Sequence, residues 1–195
     1  MRGVTNGRRS GRWIALALAV GASVAGLATT AAPGRHAQPF SFEDINPASP
    51  SHGRTLALAD LYSARGLVLQ FVASWCKPCR DELPVLETLH RRGGTPVVLV
   101  AADEYGYTEG LLLVAQRSGL TTPILFVPAE RAQELEQHYD HEILPATYLV
   151  DRAGAILEVH EGAWPASDLA TAIERHLPAT SGGRPAEDGG LEERQ

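Results

Sequence analysis

The sequence is poor in the residues that soft-metal sites and nucleic-acid surfaces require. Its 195 residues contain two cysteines and one methionine, Met1, so a methionine-rich copper site cannot form. The two cysteines form a single Cys-x-x-Cys pair, which leaves no second pair for a four-cysteine zinc site. The net charge of −6 provides no basic surface, so we expect no nucleic-acid partner.

The two cysteines lie in Trp75-Cys76-Lys77-Pro78-Cys79, between the apolar run Leu67–Ala73 and the helix-like run Arg80–Arg92. A Cys-x-x-Cys pair between a strand and the start of a helix indicates a redox function. The first helical turn has unpaired N–H groups and a positive dipole end, which stabilise a thiolate. We therefore expect Cys76, at the exposed end, to be the nucleophile, and Cys79 to be the more buried resolving thiol.

A Cys-x-x-Cys pair can also serve as a structural disulfide, as part of a zinc site, as a haem attachment site or as a Cu(I) ligand pair. A structural disulfide would stabilise little, because a two-residue loop closes little chain entropy. The two cysteines would supply half of the ligands of a zinc site, but the seven histidines of the chain do not have the spacing that the other half requires. Covalent haem attachment needs a histidine where Arg80 stands. A Cu(I) carrier is the remaining alternative, since thiolates suit Cu(I) and we expect His138 and His141 to lie one helical turn apart.

Residues 1–38 are predicted to form a signal peptide or signal anchor followed by a short linker. A basic segment precedes the uncharged run Trp13–Ala28, and the small residues Thr29–Ala32 suit a signal peptidase. Left uncleaved, residues 13–32 would tether the protein to a membrane. The basic flank would stay in the cytoplasm. The rest of the chain would then lie in the periplasm or on the outer face of the cytoplasmic membrane, where disulfides form.

Residues 39–178 are predicted to form one α/β domain, and residues 179–195 a disordered tail. In the helix that begins near Cys76, Pro84 should produce a kink, and Val85, Leu86 and Leu89 should form the buried stripe. Predicted strands cover 40–42, 55–58, 67–73, 95–101, 124–127, 143–150 and 155–160, and the other predicted helices cover 109–118, 129–139 and 167–177.

Four motifs together are specific to a family. They are Trp75–Cys79, Glu82-Leu83-Pro84 after it, Leu144–Asp151, and Gly53–Leu58 near the start of the domain. They resemble the redox motif, the Glu-x-Pro, the cis-proline segment and the added N-terminal hairpin of TlpA/ResA-type thiol-disulfide oxidoreductases in the thioredoxin superfamily. The resemblance implies a thioredoxin-like fold, with a central mixed β-sheet flanked by helices and an N-terminal β-hairpin extension.

The resemblance also implies roles for individual residues. Pro145 would be cis and would leave the backbone of Leu144 free to pair with an extended substrate. Trp75 would cover the motif, with core packing as its alternative, while Lys77 and Pro78 would tune the redox potential. The expected catalytic residues are Cys76, Cys79, Glu82 and Pro145, and the expected substrate-binding residues are Trp75, Lys77, Pro78 and Leu144.

Two positions depart from the family pattern. Gln70 stands where thioredoxin has a buried acid, and an amide cannot take a proton from Cys79. Glu82 is therefore the candidate proton relay, with a solvated first-turn carboxylate as the alternative. Ala146 stands where the family often has a hydroxyl residue, which would alter substrate contacts.

The predicted function is an exported oxidoreductase that reduces protein disulfides by dithiol exchange. Apocytochrome c is one target that the resemblance suggests, and a membrane electron donor would reduce the pair again. We expect no cofactor and no metal. The alternatives are an extracytoplasmic oxidant or isomerase and the Cu(I) carrier.

Overall fold

The computed structural model describes residues 35–101 and 108–178, which hold seven strands and five helices. The elements, in chain order, are β1 (Ser41–Asp44), β2 (Thr55–Ala57), α1 (Leu58–Leu61), β3 (Leu67–Val72), α2 (Lys77–Arg92), β4 (Val97–Ala101), α3 (Thr108–Arg117), β5 (Ile124–Phe126), α4 (Ala129–Tyr139), β6 (Ala146–Val150), β7 (Ile156–Glu161) and α5 (Ala166–His176). The short helix α1 was not predicted, since Leu58 was assigned to the preceding strand.

The strands form one sheet in the order β2-β1-β5-β4-β3-β6-β7. Strand β3 runs parallel to β4, and β4 runs parallel to β5, while the remaining pairs are antiparallel. The predicted mixed sheet is therefore confirmed, and the predicted N-terminal hairpin is the β1–β2 pair. Strand β3 is buried at every position, as its nearly continuous apolar sequence predicts.

The sheet separates two apolar clusters. Side chains of a strand alternate between its two faces, so Val68, Gln70 and Val72 of β3 face α2, while Leu69 and Phe71 face the other way. The first cluster includes both cysteines, and the second is rich in aromatic residues, including Phe71. The cysteines thus belong to the core that joins the sheet to α2 and α5.

Helix α2 begins directly after Cys76, its N-cap residue, and ends at Arg92, followed by the C-cap residue Gly93, which has a φ of +70°. Pro84 lies inside this helix without ending it. The predicted buried stripe is correct for Leu86 and wrong for Val85 and Leu89, which are half-buried. The buried stripe instead starts at Cys79 and continues at positions three and four residues further along each turn. Its members are Cys79, Glu82, Leu83, Leu86 and Glu87.

Contacts with the domain begin before residue 39. The backbone N–H of Ala37 donates to Gly154 O at 2.8 Å, and Arg35 Nη2 donates to His138 O at 3.1 Å. The rest of the predicted targeting segment, residues 102–107 and the predicted C-terminal tail lie outside the described residues. Within residues 35–101 and 108–178, no helix combines the length and the apolar character needed to cross a membrane.

Candidate active site

Cys76 and Cys79 form a disulfide, with sulfurs 2.02 Å apart and Cα atoms 5.3 Å apart. Cys79 is fully buried in the first turn of α2, as expected for a resolving thiol. Cys76 is also nearly buried, with 3% of its surface exposed, so the expectation of an exposed sulfur is wrong for this disulfide form. The reason is that Cys76 belongs to the same apolar cluster as Cys79.

The start of α2 favours negative charge on Cys76. Its Sγ accepts the backbone N–H of Cys79 at 3.2 Å, which makes Cys76 the side-chain cap of the helix. The first turn contains no acidic residue. Lys77 is exposed and pairs with Asp81 at 2.5 Å, so part of its charge is compensated one turn further along. Stabilisation of a Cys76 thiolate therefore comes chiefly from the helix end.

Glu82 lies one turn after Cys79 and is 9% exposed. Its Oε2 accepts the Gln70 Nε2 at 2.6 Å, and its Oε1 accepts the backbone N–H of Trp164. Burial raises the pKa of the Glu82 carboxyl above its usual value, although the two hydrogen bonds and the nearby His160 act in the opposite direction. The alternative of a solvated first-turn carboxylate is therefore wrong.

A groove of about 450 Å³ opens beside the motif, and Glu82 lies in its wall. Lys77, Pro78, Asp81 and Val85 of α2 line one side, and Ala163–Pro165 line the other. The groove explains why Val85 is only half-buried. It also gives a buried carboxylate a short route for proton exchange with solvent.

The Leu144–Pro145 peptide bond is cis, as the resemblance implies. Pro145 directly precedes β6, whose first residue, Ala146, pairs with Phe71 near the end of β3. Because β3 leads into the motif, the cis-proline and the disulfide lie at the same end of the sheet. Leu144 packs against both apolar clusters, including the one that holds the cysteines.

Two of the three exposed large apolar side chains among the described residues are close in sequence to the disulfide or the cis-proline. Trp75 is 70% exposed, so the alternative of core packing is wrong. Ile143, which precedes the cis dipeptide, is 56% exposed and was not singled out in the sequence. Exposed apolar side chains beside a reactive group are typical of a surface that meets another protein.

Sequence reasoning missed the segment after β7, residues 162–165. The N–H of Gly162 donates to Pro145 O at 2.8 Å, and the N–H of Trp164 donates to Glu82. The same segment thus contacts both the cis-proline and the candidate proton relay. The available signals were a glycine, which here has a φ of +83°, and a tryptophan–proline pair directly after the last predicted strand.

A second anchor of the cis-proline segment comes from the end of β7. Glu161 Oε2 accepts the backbone N–H groups of Glu142 and Ile143, at 3.0 and 2.9 Å. Because a carboxylate that accepts two backbone donors holds them in a narrow geometry, Glu161 orients the chain just ahead of Leu144.

The expected histidine pair does not form. Helix α4 ends at Tyr139, so His141 lies beyond it. His138 Nδ1 contacts Glu134 O at 2.6 Å, whereas His141 Nδ1 contacts the Tyr148 hydroxyl at 3.1 Å. Among the residues that the structure describes, no group of three or more His, Cys, Asp or Glu side chains is arranged to hold a metal ion.

Comparison with known proteins agrees with this geometry. Residues 32–173 match the Redoxin family. The chain belongs to this family, within the thioredoxin superfamily. The thiol-disulfide oxidoreductase ResA of Geobacillus kaustophilus is 30% identical over 152 residues, which cover 76% of this chain and 78% of ResA. The thioredoxin-like protein YneN of Bacillus subtilis is 29% identical over 132 residues, covering 66% and 71% of the two chains.

A crystal structure from Chlorobium tepidum, described as a thiol:disulfide interchange protein DsbE, superposes on this Redoxin-family chain with a TM-score of 0.59. The two are 25% identical, and the match covers 74% of this chain and 96% of the other. The chain is therefore a ResA-like thiol-disulfide oxidoreductase with a thioredoxin-like fold. Its Cys76–Cys79 pair, at disulfide distance, is the group that can exchange with external thiols.

Proposed function

We propose that this oxidoreductase reduces disulfides of proteins outside the cytoplasmic membrane, with Cys76 as attacking thiol and Cys79 as resolving thiol. The observation that carries the proposal is the disulfide capped by the N-terminus of α2, with Cys79 fully buried and Cys76 the less buried of the two. The location rests on the basic and apolar N-terminal segment predicted from the sequence.

The reaction begins from the dithiol form. The Cys76 thiolate attacks one sulfur of a target disulfide, and the other target sulfur leaves as a thiolate. The Cys79 thiolate then attacks Cys76 Sγ, which forms the Cys76–Cys79 disulfide and releases the second target thiolate. Two electrons pass from the enzyme to the target, and a membrane electron donor restores the dithiol. By resemblance to the TlpA/ResA type, apocytochrome c is one target of this class.

Glu82 is proposed as the base that takes the proton from Cys79. The two residues are three apart on α2, so they share one helix face. A general base works best when its pKa lies near the working pH, and burial moves the pKa of Glu82 in that direction. Gln70 supports this role, since its amide holds the carboxylate by a 2.6 Å hydrogen bond.

Substrate binding is proposed for the surface around the motif. Trp75 offers a large apolar contact, Lys77 and Pro78 line the groove, and the backbone of Leu144 can pair with an extended segment of the target. Pairing with an exposed backbone gives affinity that does not depend on one target sequence.

The proposal is tested by insulin reduction and by trapping of mixed disulfides. Cys76→Ser should abolish reduction and trap nothing, because the attacking sulfur is absent. Cys79→Ser should accumulate a mixed disulfide, since the resolving step is blocked. Glu134→Gln, a change at an exposed ion pair on α4, serves as the matched control and should behave as the wild type. Reduction by Cys76→Ser at the wild-type rate would contradict the assignment.

The direction of electron flow is tested by the reduction potential. A value near about −270 mV, as in thioredoxin, supports a reductant, whereas one near about −120 mV, as in DsbA, supports an oxidant or isomerase. The compensation of Lys77 by Asp81 favours the first outcome, because it weakens the stabilisation of a Cys76 thiolate. A Cu(I) titration of the dithiol form that shows no binding at one equivalent would dismiss the carrier.

A further inference from the structure

One peptide group connects a histidine to the candidate proton relay. His160 Nε2 lies 3.3 Å from the carbonyl oxygen of Ala163. The N–H of Trp164 belongs to the same peptide group, and it donates to Glu82 Oε1. A carbonyl oxygen can only accept, so Nε2 carries the proton in this contact. The chain of hydrogen bonds therefore runs from His160 through the Ala163–Trp164 peptide to Glu82.

The histidine ring is held in place by stacking. Its centroid lies 4.3 Å from that of the Trp164 ring, and the two planes are 15° apart. Both residues are buried. The imidazole therefore has little freedom to turn its Nε2 away from the Ala163 carbonyl.

A hydrogen bond to the carbonyl end of a peptide strengthens the donor at its N–H end, because bonds in a chain polarise one another. A stronger donor stabilises the charged carboxylate more than the neutral acid. The positive charge of a protonated imidazole acts on Glu82 in the same direction.

We propose that His160 is a positioning residue for Glu82, and that it controls through the Ala163–Trp164 peptide how readily this carboxylate takes a proton. The proposal rests on the proposed function, in which Glu82 accepts the proton of Cys79. His160 itself touches neither sulfur nor substrate in this scheme. It sets the pH range over which the resolving step is fast.

The surroundings of His160 contain few other charges. From β6 it faces Thr147, its partner in register, and from α2 it meets the charge of Glu82. On its own strand, Glu158 shares its face and pairs with His176 of α5 at 2.9 Å. Glu158 already has this partner. Among the described residues around His160, Glu82 is therefore the carboxylate whose proton affinity we expect to depend on His160.

Without the His160 donor, Glu82 should keep its proton to a higher pH. It would then be unavailable as a base near neutrality, and Cys79 would be slower to resolve the mixed disulfide. The loss should disappear at higher pH, where Glu82 ionises in every variant. A purely structural role for His160 predicts no such dependence on pH.

Two variants separate the donor from the ring. His160→Phe keeps a ring to stack on Trp164 but removes the Nε2 donor and the charge. His160→Gln keeps an amide donor without the ring or the charge. Trp164→Phe is the matched control, because it changes the stacking partner and preserves the peptide group that links His160 to Glu82.

The measurement is the protonation midpoint of the Glu82 carboxyl in the full chain, in its disulfide form. Carbon-13 NMR of glutamate-labelled protein follows the carboxyl resonance with pH, and the spectrum of Glu82→Gln assigns it. We expect His160→Phe to raise the midpoint by about one pH unit, a tenfold change in proton affinity. We expect His160→Gln to raise it by less than half as much, and Trp164→Phe to leave it unchanged.

An unchanged midpoint in His160→Phe would overturn the proposal. So would equal shifts in His160→Phe and Trp164→Phe, which would assign the effect to packing. If His160→Phe does not fold, a midpoint in His160→Gln that rises by a full pH unit would exclude the peptide route. None of these readings depends on catalysis. A shifted midpoint with no change in the pH profile of insulin reduction would refute Glu82 as the relay and leave the link to His160 intact.

Discussion

Replacing Glu87 by glutamine should lower the free energy of unfolding by about 2–3 kcal/mol at pH 7. Glu87 lies on the buried face of α2 and is 6% exposed. Its carboxylate accepts the backbone N–H groups of Thr121 and Thr122 at 2.8 and 3.0 Å, and their hydroxyls at 2.6 and 2.9 Å. Arg91 Nε donates to it at 2.5 Å. One carboxylate thus ties the helix that carries the redox pair to the loop before β5.

The size of the effect follows from the proton affinity of Glu87. Burial alone would raise the pKa, but the hydrogen bonds from Thr121, Arg91 and Thr122 together outweigh burial and lower the pKa from 4.5 to about 2. At about 1.4 kcal/mol for each tenfold change in proton affinity, the ionised form contributes up to about 3 kcal/mol. Glutamine keeps a carbonyl for the backbone donors, but it turns an amide towards Arg91.

The sign of the pH dependence is determined by the lowered pKa. The contribution of Glu87 is fully present above pH 4.5, and it is lost as the pH falls from there to about 2. The difference in stability between the wild type and Glu87→Gln should therefore be constant from pH 7 to pH 5 and shrink below that. At pH 7, it should appear as a decrease in Tm of about 10 °C for a domain of this size.

The assay is urea or thermal unfolding at a series of pH values, with the disulfide intact. The control is Glu134→Gln, whose ion pair with Arg131 is exposed on both side chains, at 57% and 49%. Such a pair contributes at most about 1 kcal/mol, so the control should stay close to the wild type at every pH. The reasoning would be refuted by a loss below about 0.5 kcal/mol at pH 7. A loss that persisted unchanged to pH 3 would refute it equally.

Three further predictions follow from burial and backbone geometry. Trp75→Ala should leave Tm unchanged, because the side chain is 70% exposed, and should slow the reduction of insulin more than that of oxidised glutathione. Leu83→Ala should lower the free energy of unfolding in urea by about 2–5 kcal/mol, since the side chain is fully buried. Val85→Ala should lower it clearly less, because Val85 is half-buried. Equal losses in the two variants would contradict the packing of α2. Gly66→Ala should be more destabilising than Gly53→Ala. The Cβ added at Gly66 would lie 2.2 Å from a backbone oxygen, whereas the space at Gly53 is open. Similar urea midpoints for the two variants would refute this clash.

Much of the fold was predictable because its signals are local. The helix at Ala129–Tyr139 was predicted with the bounds that the structure has, and β3 was predicted from an apolar run that continues through both of its faces. The end of the strand at Leu58 was less predictable. The alternation of apolar residues continues through Leu58, so the sequence pattern does not end the strand before it. The start of α1 at Leu58 depends on contacts that form only in the folded chain.

The candidate site was predictable in its chemistry but not in its surroundings. The spacing of the two cysteines, the proline of the cis bond and the acid at 82 are all visible along the chain. The donors to Glu82 are not, because Gln70 and Trp164 lie 12 and 82 residues away from it in sequence. A backbone N–H carries no sequence signal, so the hydrogen bond between the segment 162–165 and Glu82 could not be inferred from residue types.

The order of residues was enough to place a thiol pair at a strand-to-helix junction, because that arrangement depends on the few residues on either side of it. Exposure, proton affinity and long-range hydrogen bonds depend instead on which strands become neighbours. The antiparallel pairing of β3 with β6 and of β6 with β7 brings the cis-proline and the segment after β7 to the redox pair. In the resulting fold the Trp75 side chain is exposed. The Glu82 carboxylate is buried, and hydrogen bonds through the Ala163–Trp164 peptide link it to His160.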